Sequence, residues 1–208
     1  MSQGYFITGT DTEIGKTHSA VELIRHYRGQ GRSVLAMKPV ASGCEILPDG
    51  RWHNDDVARL TAATGQTDLE LMNPYRFLPP VSPHIAARQA GVEIDLARIR
   101  QHYEQLAAQA DIVLVEGAGG WLAPLTDALF MEDLARDLAL PVILVVGMRL
   151  GCINHALLTA RAIQGSGLAL AGWVANCPQP RQAAYDENLE TLKRHIPAPM
   201  LLEIPYQP

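Results

Sequence analysis

The chain has 208 residues, a formal net charge of −5 and a sequence pI near 5.8, which suit one α/β domain. This acidic balance excludes the basic surface that nucleic acid or an anionic membrane would require. No basic N-terminal stretch with a long apolar segment behind it is visible, and no apolar run approaches the length of a bilayer span, so we expect a cytoplasmic protein. The cysteines, Cys44, Cys152 and Cys177, form no C-x-x-C pair and are expected to be buried or incidental thiols.

The first predicted strand, Tyr5–Thr8, runs into a loop that ends in Gly15-Lys16-Thr17 and opens an amphipathic helix. Backbone N–H groups of such a loop and the helix dipole hold a nucleotide phosphate. Lys16 would reach the β- and γ-phosphates, and the Thr17 hydroxyl would bind Mg²⁺. Five residues rather than four separate Gly9 from Gly15, so an ordinary glycine turn is the alternative. The strand before the loop and the helix after it favour a phosphate-binding loop.

The second predicted strand, Val34–Pro39, carries Lys38 at its end and leads to Ser42 on a loop. Ligands of open α/β sheets gather at the carboxyl ends of strands, so Lys38 is a candidate for anion binding. The alternative is a lysine whose ammonium reaches water at the edge of the sheet. The predicted helix Asp56–Thr64 follows. Its acidic start is equally well interpreted as a helix cap or as a carboxylate for Mg²⁺.

Two helices, Ser82–Ala90 and Asp95–Gln109, precede the third predicted strand, Asp111–Glu116. Glu116 closes an apolar strand behind a phosphate loop, which is the position of a Walker B carboxylate that helps to hold Mg²⁺. Glycines directly after Glu116 let the backbone approach a ligand closely.

The remaining chain continues the alternation of strand and helix. The turn 147–154 opens a helix after the fourth strand and is a second possible anion site. The strands are continuous apolar runs, which is typical of a parallel sheet covered on both faces. We therefore predict an α/β fold: a doubly wound, mostly parallel, P-loop NTPase-like sheet with helices on both faces, in one ATP-binding catalytic domain over residues 1–208. The last predicted elements are Met131–Leu140, Val142–Val146, Asn154–Gln164, Ala171–Ala175, Gln182–His195 and Leu201–Ile204.

Taken together, the motifs resemble the ATP-dependent dethiobiotin synthetase family, in the order of that family and nearly from end to end. The unusual spacing of the phosphate loop is itself a trait of the family. The matching segments are Tyr5–Thr17, Lys38–Gly43, Asn73–Tyr75, Ser82–His84, Val115–Trp121, Leu150–Ala156, Gly172–Asn176 and Glu203–Tyr206.

The resemblance implies that 7,8-diaminopelargonate, CO2 and ATP, with Mg²⁺, are converted into dethiobiotin, ADP and phosphate in biotin biosynthesis. It implies catalytic roles for Lys16 and Lys38, and a metal site of Thr17, Asp56 and Glu116. Binding of the diamine and its carbamate is implied for Thr12, Glu13 and Ser42. The implied ATP-binding residues are Glu13, Ile14, Gly15, Lys16, Thr17, His18, Asp56, Glu116, Gly117, Ala118, Gly119, Asn176, Cys177, Pro205, Tyr206 and Gln207.

The resemblance further implies a homodimer with the active site at the subunit interface. The turn of Gly151, Cys152, Ile153 and Asn154 would bind the distant carboxylate of the substrate held by the second subunit. Many relatives continue beyond the position of Pro208, so weaker selectivity for the base of the nucleotide is an expectation, testable by comparing ATP with GTP or CTP.

Three other classes of protein compete with this interpretation. Amidotransferases of cobyric acid synthesis carry a second domain for which this length leaves no room. Partitioning ATPases usually have an additional lysine early in the loop, whereas Thr10 occupies that region here and no lysine precedes Lys16. A nucleotide-binding protein without catalysis would leave Lys38 and Ser42 without a role.

Overall fold

The computed structural model describes residues 2–207 and has a parallel sheet at its centre. In chain order the strands are β1 (Gln3–Gly9), β2 (Val34–Met37), β3 (Val40–Ala41), β4 (Glu45–Ile46), β5 (Trp52–His53), β6 (Tyr75–Arg76), β7 (Ile112–Glu116), β8 (Val142–Gly147), β9 (Leu170–Asn176) and β10 (Met200–Ile204). The helices are α1 (Lys16–Gly29), α2 (Asp55–Thr64), α3 (Leu69–Met72), α4 (Pro83–Ala90), α5 (Leu96–Ala107), α6 (Met131–Asp137), α7 (Cys152–Gly165) and α8 (Tyr185–His195).

Six strands form the main sheet in the order β10-β9-β8-β1-β7-β2, and all neighbouring pairs are parallel. Successive side chains of β1 point to opposite faces, so Phe6 belongs to one hydrophobic core and Ile7 to the other. Every residue of β7 and of β8 is buried. These features confirm the predicted doubly wound sheet, whose central strands are covered on both faces.

The six strands predicted from continuous apolar runs correspond to β1, β2, β7, β8, β9 and β10, with ends that differ by one or two residues. The four short strands β3 to β6 were not predicted. They pair as β3 with β6 and β4 with β5, outside the main sheet. Two residues are too few to show a period, so no pattern in the sequence marks these strands.

The predicted helices are all present, with corrected ends. Asp95 caps α5 by accepting a hydrogen bond from the Ala97 backbone N–H at 2.8 Å. Ser82 precedes α4 as predicted, but its hydroxyl contacts the His84 ring at 2.9 Å and makes no capping bond. Helix α7 begins at Cys152 rather than Asn154, α8 at Tyr185 rather than Gln182, and α6 ends at Asp137 rather than Leu140.

The carboxyl ends of β1, β2, β7 and β8 meet at one edge of the sheet, where β1 lies between β7 and β8. The chain therefore brings the loops after these strands together, although long stretches of sequence separate them. All three cysteines are free and buried, as predicted. Among residues 2–207, no helix has both the length and the apolar character needed to cross a bilayer.

Candidate active site

The loop between β1 and α1 has the strained backbone of a phosphate-binding loop. Gly15, directly before α1, has φ of +83°, and a Cβ placed on it would lie 2.2 Å from Asn176 Nδ2. Only glycine therefore fits this position. Asn176 Nδ2 donates a hydrogen bond of 2.7 Å to the Ile14 carbonyl, which joins the end of β9 to the loop. Glu13 also has a positive φ, of +57°, which is uncommon for a residue with a side chain.

Lys38 binds two carboxylates, one at the end of the neighbouring strand β7 and one in the first turn of α2. Its Nζ lies 2.6 Å from Glu116 Oε1 and 2.9 Å from Asp56 Oδ2. Lys38 and Glu116 are both buried, whereas Asp56 is partly open to the cavity. The predicted anion-binding lysine and the two predicted metal ligands therefore form one cluster at the edge of the sheet.

Thr17 joins the same cluster through its hydroxyl. Thr17 Oγ1 lies 2.6 Å from Asp56 Oδ1 and 2.8 Å from Glu116 Oε1. A hydroxyl has one proton to donate, so it cannot satisfy both carboxylates at once. The other oxygen of Glu116, Oε2, is buried without a hydrogen-bond partner among the described residues. Converging oxygens with an unsatisfied carboxylate are a donor set that fits a small divalent cation.

Contacts within the cluster shift the pKa values of Lys38 and Asp56. Burial alone would lower the pKa of Lys38, but the Glu116 and Asp56 carboxylates outweigh it and raise the pKa to about 12. Burial acts to raise the pKa of Asp56, and the Lys38 ammonium and the Thr17 hydroxyl overcome this and hold that pKa below its usual range. Lys38 is thus an ammonium and Asp56 a carboxylate at neutral pH.

Lys16 lies in a different electrostatic environment. Burial, and then the nearby Lys38 ammonium, lower the pKa of Lys16 to about 8. Its Nζ donates a hydrogen bond of 2.8 Å to the Asp11 carbonyl and makes no ion pair within residues 2–207. An anion bound beside Lys16 would compensate its charge, as a phosphate-binding lysine requires. The pKa of His18 is also lowered, first by burial and then by the Arg59 guanidinium.

A cavity of about 690 Å³ opens above this cluster. The Ser42 hydroxyl, at its wall, is a buried oxygen that has no hydrogen-bond partner within the described part of the chain. Most of the residues predicted for the site lie in the cavity wall. They are Thr12, Glu13, Gly15, Lys16, Thr17, His18, Lys38, Ser42, Asp56, Glu116, Ala118 and Gly119.

Several residues predicted for the site lie outside this wall. Ile14 is wholly buried, so only its backbone can face a nucleotide. Gly117 lies beneath the cluster, and its carbonyl accepts a hydrogen bond from Lys38 Nζ at 3.4 Å. Asn176 is the last residue of β9 and the buried Cys177 follows it, and the exposed Pro205, Tyr206 and Gln207 follow the paired strand β10.

The predicted carboxylate site also lies apart from the cavity of its own chain. Gly151, with φ of +92°, precedes α7, and Ile153 and Asn154 are in the first turn of that helix. The Cys152 side chain is buried, and its N–H donates to the Arg149 carbonyl at 2.9 Å. The buried Cys152 side chain therefore offers no contact to a ligand, and binding of a carboxylate by the helix N-terminus stays a prediction.

Sequence reasoning missed several residues near the site. The segment 80–83 lines the cavity, as does Arg59 on α2. Arg149, after β8, forms an ion pair with Asp11 in the phosphate loop. Arg59 is separated from Asp56 by one helical turn, and this spacing is the only signal in the sequence that could have indicated it.

Comparison with known proteins agrees with this geometry. A family model described as an AAA domain matches residues 3–208. The ATP-dependent dethiobiotin synthetase BioD of Aromatoleum aromaticum is 56% identical over 205 residues, which cover 98% of this chain and 91% of the relative. The enzyme of the same name from Pseudomonas aeruginosa strain UCBPP-PA14 is 54% identical over 97% of this chain and 89% of its own.

A solved structure shares the fold at much lower identity. The ParA family ATPase from Chlorobium tepidum matches with a TM-score of 0.58 at 17% identity, over 100% of this chain and 86% of that one. This likeness supports the P-loop fold alone. The motifs, the cluster at the edge of the sheet and the relatives over nearly the whole chain agree, and the chain belongs to the ATP-dependent dethiobiotin synthetase family.

Proposed function

We propose that this protein closes the ureido ring of dethiobiotin from 7,8-diaminopelargonate and CO2, with ATP converted to ADP and phosphate. The observation that carries the proposal is the cluster of Lys38, Asp56, Glu116 and Thr17 beside the phosphate loop, in a chain 56% identical to a dethiobiotin synthetase. Residues 1–208 act in this proposal as one catalytic domain in the cytoplasm.

The reaction needs positioning and charge stabilisation rather than a protein nucleophile. The N7 amine of the diamine attacks CO2 and loses a proton, which forms a carbamate. A carbamate oxygen attacks the γ-phosphorus of ATP, and the bond to ADP breaks. The N8 amine then attacks the carbonyl carbon of this mixed anhydride, loses a proton and expels phosphate as the five-membered ring closes.

The two lysines fit the charge that moves during these steps. Negative charge passes from the carbamate to the γ-phosphoryl oxygens and then to the β-phosphate of ADP. Lys16, held by the Asp11 carbonyl, would stay with the β- and γ-phosphates. Lys38 would bind the carbamate and the transferred phosphoryl group, because it stands at the end of β2 and is fully charged at neutral pH. Ser42 and Thr12, in the cavity wall, would hold the diamine.

Thr17, Asp56 and Glu116 are the residues that would hold Mg²⁺. Their oxygens converge, and Glu116 Oε2 is buried without a partner in the part of the chain that the structure describes. No group of three His, Cys, Asp or Glu side chains assembles within residues 2–207, so the ion would also need a hydroxyl, water and phosphate oxygens. When bound, Mg²⁺ neutralises charge on the β- and γ-phosphates.

The ends of β9 and β10 are the proposed location of the adenine. Asn176 Oδ1 is a buried acceptor without a partner among the described residues, and Tyr206 is exposed in the segment that follows the paired strand β10. A homodimer completes the proposal, with the turn 151–154 of one subunit facing the diamine carboxylate held by the other.

A labelling experiment tests this function. Purified protein is incubated with ATP, Mg²⁺, ¹³C-bicarbonate and 7,8-diaminopelargonate, and the products are identified by mass spectrometry. We expect dethiobiotin with one added ¹³C and an equal amount of ADP. ATP hydrolysis that proceeds equally without the diamine would refute the substrate and favour a switch-type ATPase. Omission of Mg²⁺ should abolish both products.

A further inference from the structure

Helix α2 and the residue that caps it contact the site through three side chains. Asn54, directly before the helix, donates from Nδ2 to the Ser42 carbonyl at 3.3 Å. Asp56 contacts Lys38 and Thr17. Arg59, one turn further, places Nη2 3.3 Å from His18 Nδ1 on α1. The helix therefore runs along the cavity from the Ser42 side, past the lysine and carboxylate cluster, to the His18 side.

Arg59 is a cation that contacts no carboxylate of the described chain. Lys16, Lys38 and Arg59 are the lysine and arginine side chains in the cavity wall. Lys38 is neutralised by Asp56 and Glu116, whereas neither Lys16 nor Arg59 makes an ion pair within residues 2–207. Arg59 is thus a second cation of the cavity wall outside any ion pair of the described residues, in addition to the phosphate-binding lysine.

We propose that Arg59 binds the α- and β-phosphates of the nucleotide, as a residue that sets nucleotide affinity rather than the rate of phosphoryl transfer. The proposal rests on the proposed function and names a further contact of the same site. His18 follows Thr17 on α1, so the guanidinium lies beyond the Lys38 cluster and away from Ser42, where the diamine would bind. A guanidinium fits phosphate oxygens with two parallel hydrogen bonds.

The test is calorimetric binding of ADP and of the non-hydrolysable β,γ-imido analogue of ATP, both with Mg²⁺, to the full-length protein. Arg59→Ala should weaken binding of both nucleotides about fivefold to twentyfold. Arg59→Lys should restore part of the loss, because an ammonium retains the charge but not the paired geometry. The kcat of Arg59→Ala at saturating ATP should stay within about twofold of the parent, since the transfer site is unchanged.

Arg51→Ala is the matched control. Arg51 is an exposed arginine that pairs with Asp49 and lies outside the cavity wall, so its removal changes the net charge equally. Equal affinities of the parent and Arg59→Ala would overturn the inference, as would a loss confined to the ATP analogue. A raised KM for the diamine with unchanged nucleotide affinity would also overturn it. Failure of the parent protein to bind either nucleotide would instead refute the proposed function.

Discussion

In the proposed reaction Lys38 is the residue on which the chemistry depends most, because it contacts both carboxylates and would bind the transferred group. We expect Lys38→Ala to lower kcat by roughly 10²–10³, the usual effect of losing a donor aimed at developing charge. The same change leaves Glu116 and Asp56 without their cation, so the free energy of unfolding should fall by about 3–5 kcal/mol. Turnover at saturating substrates measures the change in kcat, and unfolding followed by circular dichroism measures the change in stability. A folded Lys38→Ala protein with normal turnover would remove Lys38 from the mechanism.

Removal of Lys16 should raise the stability of the fold while it abolishes function, whereas removal of Lys38 should lower both. Its pKa in the fold, about 8, lies below the ordinary 10.5, so the unfolded chain binds more protons between these values. The charged lysine therefore destabilises the fold below pH 8, and this penalty disappears as the pH rises towards 10.5. We expect Lys16→Met to raise the free energy of unfolding at pH 7 by about 1–3 kcal/mol while nucleotide binding is lost.

Thermal unfolding without nucleotide, from pH 7 to pH 10, measures this effect. The advantage of Lys16→Met over the parent should shrink above pH 8. Lys193→Met is the control, since Lys193 lies on the surface, paired with Glu190, and its removal should not reproduce this pattern. If Lys16→Met were less stable than the parent at pH 7, the hydrogen bond to the Asp11 carbonyl would outweigh the cost of burial.

At the level of elements, the phosphate loop is held by the segment between β8 and α7. Asp11 accepts from the Thr12 N–H at 2.8 Å, its carbonyl binds Lys16, and its carboxylate pairs with Arg149. We expect Arg149→Ala to raise the KM for ATP about threefold to tenfold, because the loop is no longer positioned. The pair is partly exposed, so the free energy of unfolding should change by only about 0.2–1 kcal/mol.

Steady-state kinetics with ATP and the diamine varied separately test the Arg149 prediction. Arg100→Ala provides the control, because Arg100 pairs with Asp137 outside the cavity wall. A KM for ATP that matches the parent would show that Asp11 keeps its position without Arg149.

The elements that could be predicted are those whose residues repeat a pattern. The six long strands are continuous apolar runs, and Lys16, Lys38 and Glu116 lie at or beyond the carboxyl ends of three of them, so the centre of the site followed from the order of motifs. Helix α7 was predicted two residues late because Gly151, in a left-handed conformation, precedes it without a capping side chain. Arg59 is exposed on a polar helix face, and apart from its spacing of one turn from Asp56 the sequence gives no sign of the cavity beside it.

At the scale of the whole molecule, the turn 151–154 at the start of α7 lies outside the cavity wall of its own chain. Leu150, directly before Gly151, is 90% exposed, and Leu158, further along α7, is 57% exposed. Large exposed apolar side chains occur on surfaces that bind another protein. In the proposed homodimer, the turn of one subunit would lie at the diamine held by the other, and the exposed leucines are candidates for the interface between the subunits.

Subunit complementation tests this arrangement. Lys38→Ala should inactivate the cavity, and Asn154→Asp should repel the diamine carboxylate from the turn on α7. If each site combines the cavity of one subunit with the turn of the other, a mixed dimer has one site with both changes and one site with neither. Mixing the two inactive variants under exchange conditions should then restore about a quarter of the parent activity. If each site were built from one subunit alone, mixing would restore no activity, because every subunit carries a change in either its cavity or its turn.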